Sequence, residues 1–187
     1  MVGGVILVLI IWLIAGYNSL VNLNQKVDSS FANVQTQYQR RADLVPNLVN
    51  TVKGAADFEQ TTLTEVTEAR AKATSIQIDP SKATPEQLQE YQNAQGELGQ
   101  ALSKLLAITE SYPQLTATQN FQDLQVQLEG TENRIQVARA DYNNVLKDYN
   151  TRVKRFPTLI LAGLFNYDQR PYFEASPGSQ NAPTVSL

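Results

Sequence analysis

Residues 121–156 read FQDLQVQLEGTENRIQVARADYNNVLKDYNTRVKRF. Phe121, Leu128, Ile135, Tyr142, Tyr149 and Phe156 recur every seven residues, and Leu124, Thr131, Ala138, Val145 and Arg152 fill the other seam position of each heptad. A repeat sustained over so many heptads is the pattern of a helix packed lengthwise against other helices, and it favours a bundle or coiled coil over globin-like crossings. The run predicts one long helix. The echo of Tyr142-Asn143 in Tyr149-Asn150 follows the heptad and is not a domain repeat.

Prolines at 46, 80, 85, 113, 157, 171, 177 and 183 divide the remaining chain. The Pro-free stretches between them are long enough for helices of many turns. Leu20, Asn24, Val27, Phe31, Val34, Tyr38 and Arg41 alternate by four and three, which predicts a first helix to about Ala42 with Arg41 snorkelling out at the far end of its seam. Ala42-Asp43-Leu44-Val45-Pro46 reads as a tight corner, with Asp43 as cap and Pro46 in the first turn of a second helix. Val45, Val49, Val52, Ala56, Leu63, Val66 and Ala73 make that helix's stripe. After a turn at 79–85, Thr84 is expected to cap a third helix with Pro85 at its first position. Leu88, Tyr91, Leu98, Leu102, Leu105 and Thr109 line it, with Gln95 in one slot. Four helices joined by short loops predict an all-α, antiparallel up-down four-helix bundle over residues 17–156. Residues 157–175 read as an apolar C-terminal extension and 176–187 as a disordered tail.

From Val2 to Gly16 nearly every residue is apolar, and no charge appears until Lys26. As a helix this stretch spans roughly 23 Å, slightly less than a ~30 Å hydrocarbon core, and Tyr17, Leu20, Val21 and Leu23 extend it. A cleaved signal peptide is a poorer reading, because no basic residue precedes the apolar run and Ile14-Ala15-Gly16-Tyr17 is a poor cleavage site. A buried core helix normally keeps one wet face. The expectation is a single-pass transmembrane segment at residues 1–16, continuous with helix one and contacting membrane lipid. Lys26, Arg40 and Arg41 follow the span, which favours the N-terminus outside and the bundle in the cytoplasm, with an extracytoplasmic bundle as the alternative.

The chain has no Cys and no His. Thiol nucleophiles, His general bases and Cys/His zinc sites are therefore excluded. A net charge of −3 leaves no footprint for nucleic acid. Asn and Gln together number 33, so the surface is amide-rich and lightly charged, which opposes association less than a charged one. No Gly-rich phosphate or dinucleotide loop is present, and no cofactor is expected. Gly54, Gly96, Gly99 and Gly130 lie scattered in helices, where they would permit close helix approach.

The candidate interaction residues are charged or aromatic. Glu129 and Glu132 share a helix face. Glu132 and Arg139 both fall on one flank of the seam, and Arg134 and Asp141 on the other, the positions suited to ion pairs with neighbouring helices. Arg40 and Arg41 suit pairing with a neighbouring Glu better than lipid, lying about 35 Å beyond the membrane. Glu110-Ser111-Tyr112-Pro113 reads as a helix end with an interacting Tyr112 hydroxyl. Leu159, Ile160, Leu164 and Phe165 belong to a patch too short to span a bilayer. That patch is expected to close the bundle end, touch lipid or form a subunit contact.

The sequence also resembles the LemA family, a bacterial membrane-anchored family. The carriers are Tyr17-Asn18-Ser19-Leu20-Val21, Gln39 through Val49, Thr51-Val52-Lys53-Gly54, Glu110 through Pro113, Leu128 through Ile135, Arg139, Tyr142-Asn143, Tyr149-Asn150 and Phe156-Pro157. The family often has Trp where this chain has Phe31, and a His-Glu pair where it has Phe58-Glu59. The resemblance implies a single N-terminal span, an antiparallel four-helix domain and no enzyme activity. Some relatives are encoded beside a membrane zinc metalloprotease, which implies a partner by association. The expected function is a non-enzymatic, membrane-anchored scaffold that self-assembles into a homo-oligomer. The alternative is an adaptor or regulator of another membrane protein, such as that metalloprotease. A carboxylate- and Tyr-based hydrolase or transferase is the weakest reading.

Overall fold

The structure, a computed structural model, describes residues 2–54 and 59–174. The predicted disordered tail and Ala56 of the second stripe lie outside the described residues. Described elements are helical throughout: α1 Val2–Lys53, α2 Gln60–Ser75, α3 Pro85–Thr109, α4 Pro113–Thr116, α5 Gln119–Lys154 and α6 Thr158–Leu164.

The predicted corner at Ala42–Pro46 is replaced by unbroken helix, with Pro46 inside α1 and Asp43 accepting from Gln39 rather than capping. A proline in a helix interior deprives the carbonyl four residues back of its donor, here that of Ala42. Arg70 of α2 supplies a substitute, its Nε donating to the Ala42 oxygen at 2.8 Å. Beyond the proline, Val45, Leu48, Val49 and Val52 are all buried, so the continued helix keeps its apolar face in the core. The second stripe is therefore shared: Val45, Val49 and Val52 belong to α1, and Leu63, Val66 and Ala73 to α2.

The starts and faces of the later helices follow the sequence. Thr84 Oγ1 accepts from the Gln87 N–H while the Gln87 side chain accepts from the Thr84 N–H, and Pro85 opens α3. These reciprocal bonds satisfy two donors that a helix start leaves open. Leu88, Tyr91, Gln95, Leu98, Leu102, Leu105 and Thr109 are buried on α3. On α5 the heptad holds through Tyr149, and Phe156 falls beyond the helix end, 74% exposed. Toward the C-terminal end, Leu146 and Val153 replace Val145 and Arg152 as the buried positions. An α-helix drifts about 20° per heptad against a strict seven-residue repeat. Without enough supercoiling to cancel that drift, the buried stripe moves one residue on.

α1 packs most extensively against α5, and α2 against α3. Phe31 of α1 meets Tyr142 of α5, while Arg41 of α1 meets Glu132. The core has two parts. One, nearer the apolar span, gathers Leu20, Val27, Phe31, Val34 and Tyr38 with Tyr91, Tyr142, Tyr149, Leu161 and Phe173. The other, farther away, gathers Val45, Leu48, Val52, Leu63, Val66, Leu98, Leu102, Leu105, Phe121 and Leu128. α2 and α3 do not reach the span. Ile78, beyond the end of α2, accepts from Gln35, and Ser81–Ala83 lie around a cleft with Asn24. Closer to the span, α1 and α5 are covered by residues 158–174.

Of the helical glycines singled out in sequence, Gly96 and Gly130 face open space, so they mediate no close approach. Gly99 does: a Cβ there would stand 3.4 Å from Arg41 Nη1. The tightest position is Gly16, where a Cβ would meet Leu161 Cδ1 at 2.7 Å.

Candidate functional site

Three polar or apolar constellations carry the sequence's unusual residues. The first lies between the two core parts. Arg41, expected to snorkel outward, is only 3% exposed. Its seam position turns the side chain inward, and enough acceptors surround it to hold the charge there. Nη2 donates to the Gln95 backbone oxygen at 2.7 Å and to Gln95 Oε1 at 2.8 Å, and Nη1 pairs with Glu132. Gln95 Nε2 in turn donates to the Ala73 carbonyl at 3.1 Å. Residues from α1, α2, α3 and α5 are thereby tied into one layer. A buried charge persists only when paired and hydrogen-bonded, and this one is both. The guanidinium also lies 5.3 Å from the Tyr38 ring centroid. Burial raises the Tyr38 and Tyr91 pKa values above the ordinary phenol range.

The second constellation is a strap, residues 166–174, lying along α5 and clasped by the repeated Tyr-Asn pair. Asn150 exchanges two hydrogen bonds with the Arg170 backbone, and Asn143 exchanges two with the Phe173 backbone. Tyr149 donates to the Asp168 carbonyl and Tyr142 to the Pro171 carbonyl. Seven residues of helix rise about 10.5 Å, and three residues of extended chain cover about 10 Å. One heptad step on α5 therefore matches three strap residues, and the same dipeptide serves twice. The Arg170 side chain is buried, pairs with Asp28 and donates to Asn24 Oδ1. Its guanidinium lies 5.3 Å from the Tyr149 ring centroid. Burial pushes the Tyr142 phenol up to about 12.

The third constellation is α6, seated beside the end of the apolar span. Thr158, Leu161 and Ala162 face inward. Leu159, Ile160, Leu164 and Phe165 face outward, and the Phe165 ring stands 4.7 Å from that of Tyr17. Asn166 at φ 55° closes the helix, with the Tyr167 N–H donating back to the Ala162 carbonyl. Asn is one of the few residues that adopt this left-handed turn readily.

The other predicted residues are dispersed. Arg40, Glu110, Glu129 and Arg134 are exposed. Glu129 accepts from Gln125. Arg139 donates to Gln92 and to the Glu174 carbonyl, over the Phe173 ring. Arg134 and Asp141 form no ion pair with a described residue. Tyr112 is half-buried against the farther core part. Ser111 is exposed and has no base nearby in sequence. Among the described residues, no three carboxylates converge as metal ligands. Sequence reasoning missed Arg70, Asp28 and Arg170. The Tyr-Asn echo was the signal for the strap, since two identical polar pairs facing one way imply a partner with a matching repeat.

These features define a class: an all-helical, membrane-associated protein whose buried charges serve to lock helices together. The chain belongs to the LemA family, whose pattern matches residues 30–187. Magnetosome protein MamQ 1 of Paramagnetospirillum magneticum is 25% identical over 186 residues, covering 88% of this chain and 67% of that protein. MamQ of Magnetospirillum gryphiswaldense is 24% identical over the same coverage. Protein LemA of Metamycoplasma hominis is 22% identical over 159 residues, 85% of this chain and 69% of its own. These names carry no reaction.

Proposed function

We propose that this chain is a non-enzymatic, membrane-anchored scaffold that self-assembles through its helical body. The body is read as an up-and-down four-helix arrangement, with the N-terminus outside and the body in the cytoplasm. The observation that carries this reading is α1. An outward-facing apolar stretch over residues 6–14 runs without a break into the helix that organises both core parts. Helix α1 as a whole is long and apolar enough over an 18-residue window to cross a membrane. Anchoring concentrates copies in two dimensions, which strengthens weak lateral contacts without new chemistry. The polar clusters support a structural role, since each buried guanidinium is occupied by acceptors within the chain.

Light scattering on gently extracted full-length protein, paired with crosslinking in the intact membrane, tests this reading. A uniform particle of several copies is expected. Monomers by both measurements would sink it.

The adaptor reading draws on one feature, a groove of about 460 Å³ beside Arg41. Leu102, Leu106 and Leu128 supply its apolar wall, and Glu129 and Glu132 its acidic rim. A stoichiometric second protein retained from native membranes, and lost on Leu106→Glu, would favour it.

A further inference from the structure

We infer that α6 and the basic residues beside it form a second membrane contact, separate from the apolar span. In this contact α6 lies in the lipid interface while Lys26, Arg152 and Arg155 take anionic phospholipid headgroups. The inference rests on the anchored reading above.

Position carries the argument first. α6 packs on Gly16 and Tyr17, where the apolar span ends, with Leu161 filling the space that the missing Gly16 side chain leaves. The exposed apolar surface of residues 6–14 therefore continues sideways onto Leu159, Ile160, Leu164 and Phe165, with Phe156 alongside. Leu164 and Ile160 are 72% and 62% exposed, more than Ile10 or Leu13 within the span itself. Apolar side chains gathered this way at the end of a span lie where an interfacial helix inserts, about 5–10 Å into the headgroup and acyl boundary.

Charge supplies the second, independent argument. A cleft of about 540 Å³ between α1 and α5 is lined by Ala15, Asn18, Lys26, Asp148, Arg152 and Arg155, among others. It begins at Ala15, level with the membrane edge, and reaches Lys26, about 15 Å farther along α1. Three cations face one carboxylate there, and none of the three forms an ion pair with a described residue. The Arg152 Nε is buried without a hydrogen-bond partner among the described residues. Elsewhere the buried guanidiniums of Arg41 and Arg170 each meet a carboxylate through an Nη atom, although the Arg41 Nε, like that of Arg152, has no hydrogen-bond partner among the described residues. An open cationic cleft at headgroup height, beside an exposed apolar helix, has the complementarity of an anionic lipid surface.

The test uses the full-length chain in lipid nanodiscs. The chain has no cysteine, so Leu164→Cys carries a single fluorescent label, and Trp12, its one tryptophan, reports on the span separately. Quencher lipids with a doxyl group high on the acyl chain, on phosphatidylglycerol or phosphatidylcholine, are compared. The label at 164 is expected to be quenched, and more strongly by phosphatidylglycerol. The same label at Val126→Cys, exposed on α5 far from the span, should be untouched. Arg152→Gln with Arg155→Gln should remove the phosphatidylglycerol preference, by up to roughly five-fold per charge, while leaving Trp12 quenching and helical content unchanged. Quenching of Trp12 without quenching at 164 overturns the inference and leaves the anchor standing, with protein, a second copy included, covering α6. Equal quenching by both lipids overturns the anionic preference. An unquenched Trp12 overturns the anchor reading itself.

Discussion

The two parts of the core are built from different materials and closed in different ways. The part farther from the span is aliphatic: valines and leucines of α1, α2, α3 and the start of α5. It is closed by helices alone. The nearer part is aromatic. Phe31 stands 5.5 Å from Tyr142 and 5.9 Å from Phe173, and Tyr38 meets Tyr91 edge-on at 5.5 Å. It is closed by a strap without regular structure, because α2 and α3 stop short. Two helices bury too little between them, and large rings with a clasped extended segment fill the missing sides. The difference predicts that the two parts respond to different perturbations.

The largest effect should come from Phe31→Ala. It removes the ring around which Tyr91, Tyr142 and Phe173 pack, and should cost about 3–5 kcal/mol in denaturant unfolding. Hydrogen exchange should rise around Tyr142 and the strap before it rises around Leu98 and Leu102. Alkaline pH should separate the parts next. Tyr142 titrates near 10 when unfolded and near 12 when folded. The folded state thus holds its proton longer, so the stability is present below pH 10 and lost as pH rises toward 12. The two-unit gap corresponds to about 3 kcal/mol. Unfolding monitored across that window should begin in the aromatic part, and Tyr142→Phe should blunt it.

Asn150→Leu sharpens the contrast further. It strips both bonds from the Arg170 backbone and should cost about 2 kcal/mol, loosening the strap while leaving the farther part protected. The smallest effect should belong to the aliphatic part. Arg70→Ala leaves the Ala42 carbonyl without its donor and should cost about 1 kcal/mol, seen as faster exchange in α1 near Pro46.

Side-chain periodicity made the helical faces readable from sequence, because seam spacing records which side each helix buries. The seam from Leu20 to Arg41, the capped start at Thr84-Pro85 and the α5 heptads through Tyr142 all appear where the pattern puts them. Pro46 was misread because the residue that replaces its lost bond, Arg70, lies 24 positions on, beyond any local rule. Arg41 was expected to pair with a Glu, but its burial was missed for a related reason. Its seam position pointed inward, but whether a buried guanidinium finds partners depends on Gln95 and Glu132, each more than fifty residues away. The strap has no periodicity of its own, so only its docking stations on α5 left a trace. The LemA resemblance, carried by motifs from Tyr17 to Pro157, anticipated the family that the comparisons show, and it said nothing of the strap's clasp.

α1 joins both parts to the apolar N-terminal stretch, and its continuity through Pro46 is the central claim. The direct measurement is a pulsed electron-spin distance between labels at Asn22→Cys and Asn50→Cys, both exposed on α1, in the full-length chain in lipid. Twenty-eight residues of unbroken helix predict a narrow distribution near ~42 Å. A corner at residues 42–46 would fold the second label back along the first helix, and a distance near ~25 Å would contradict the account.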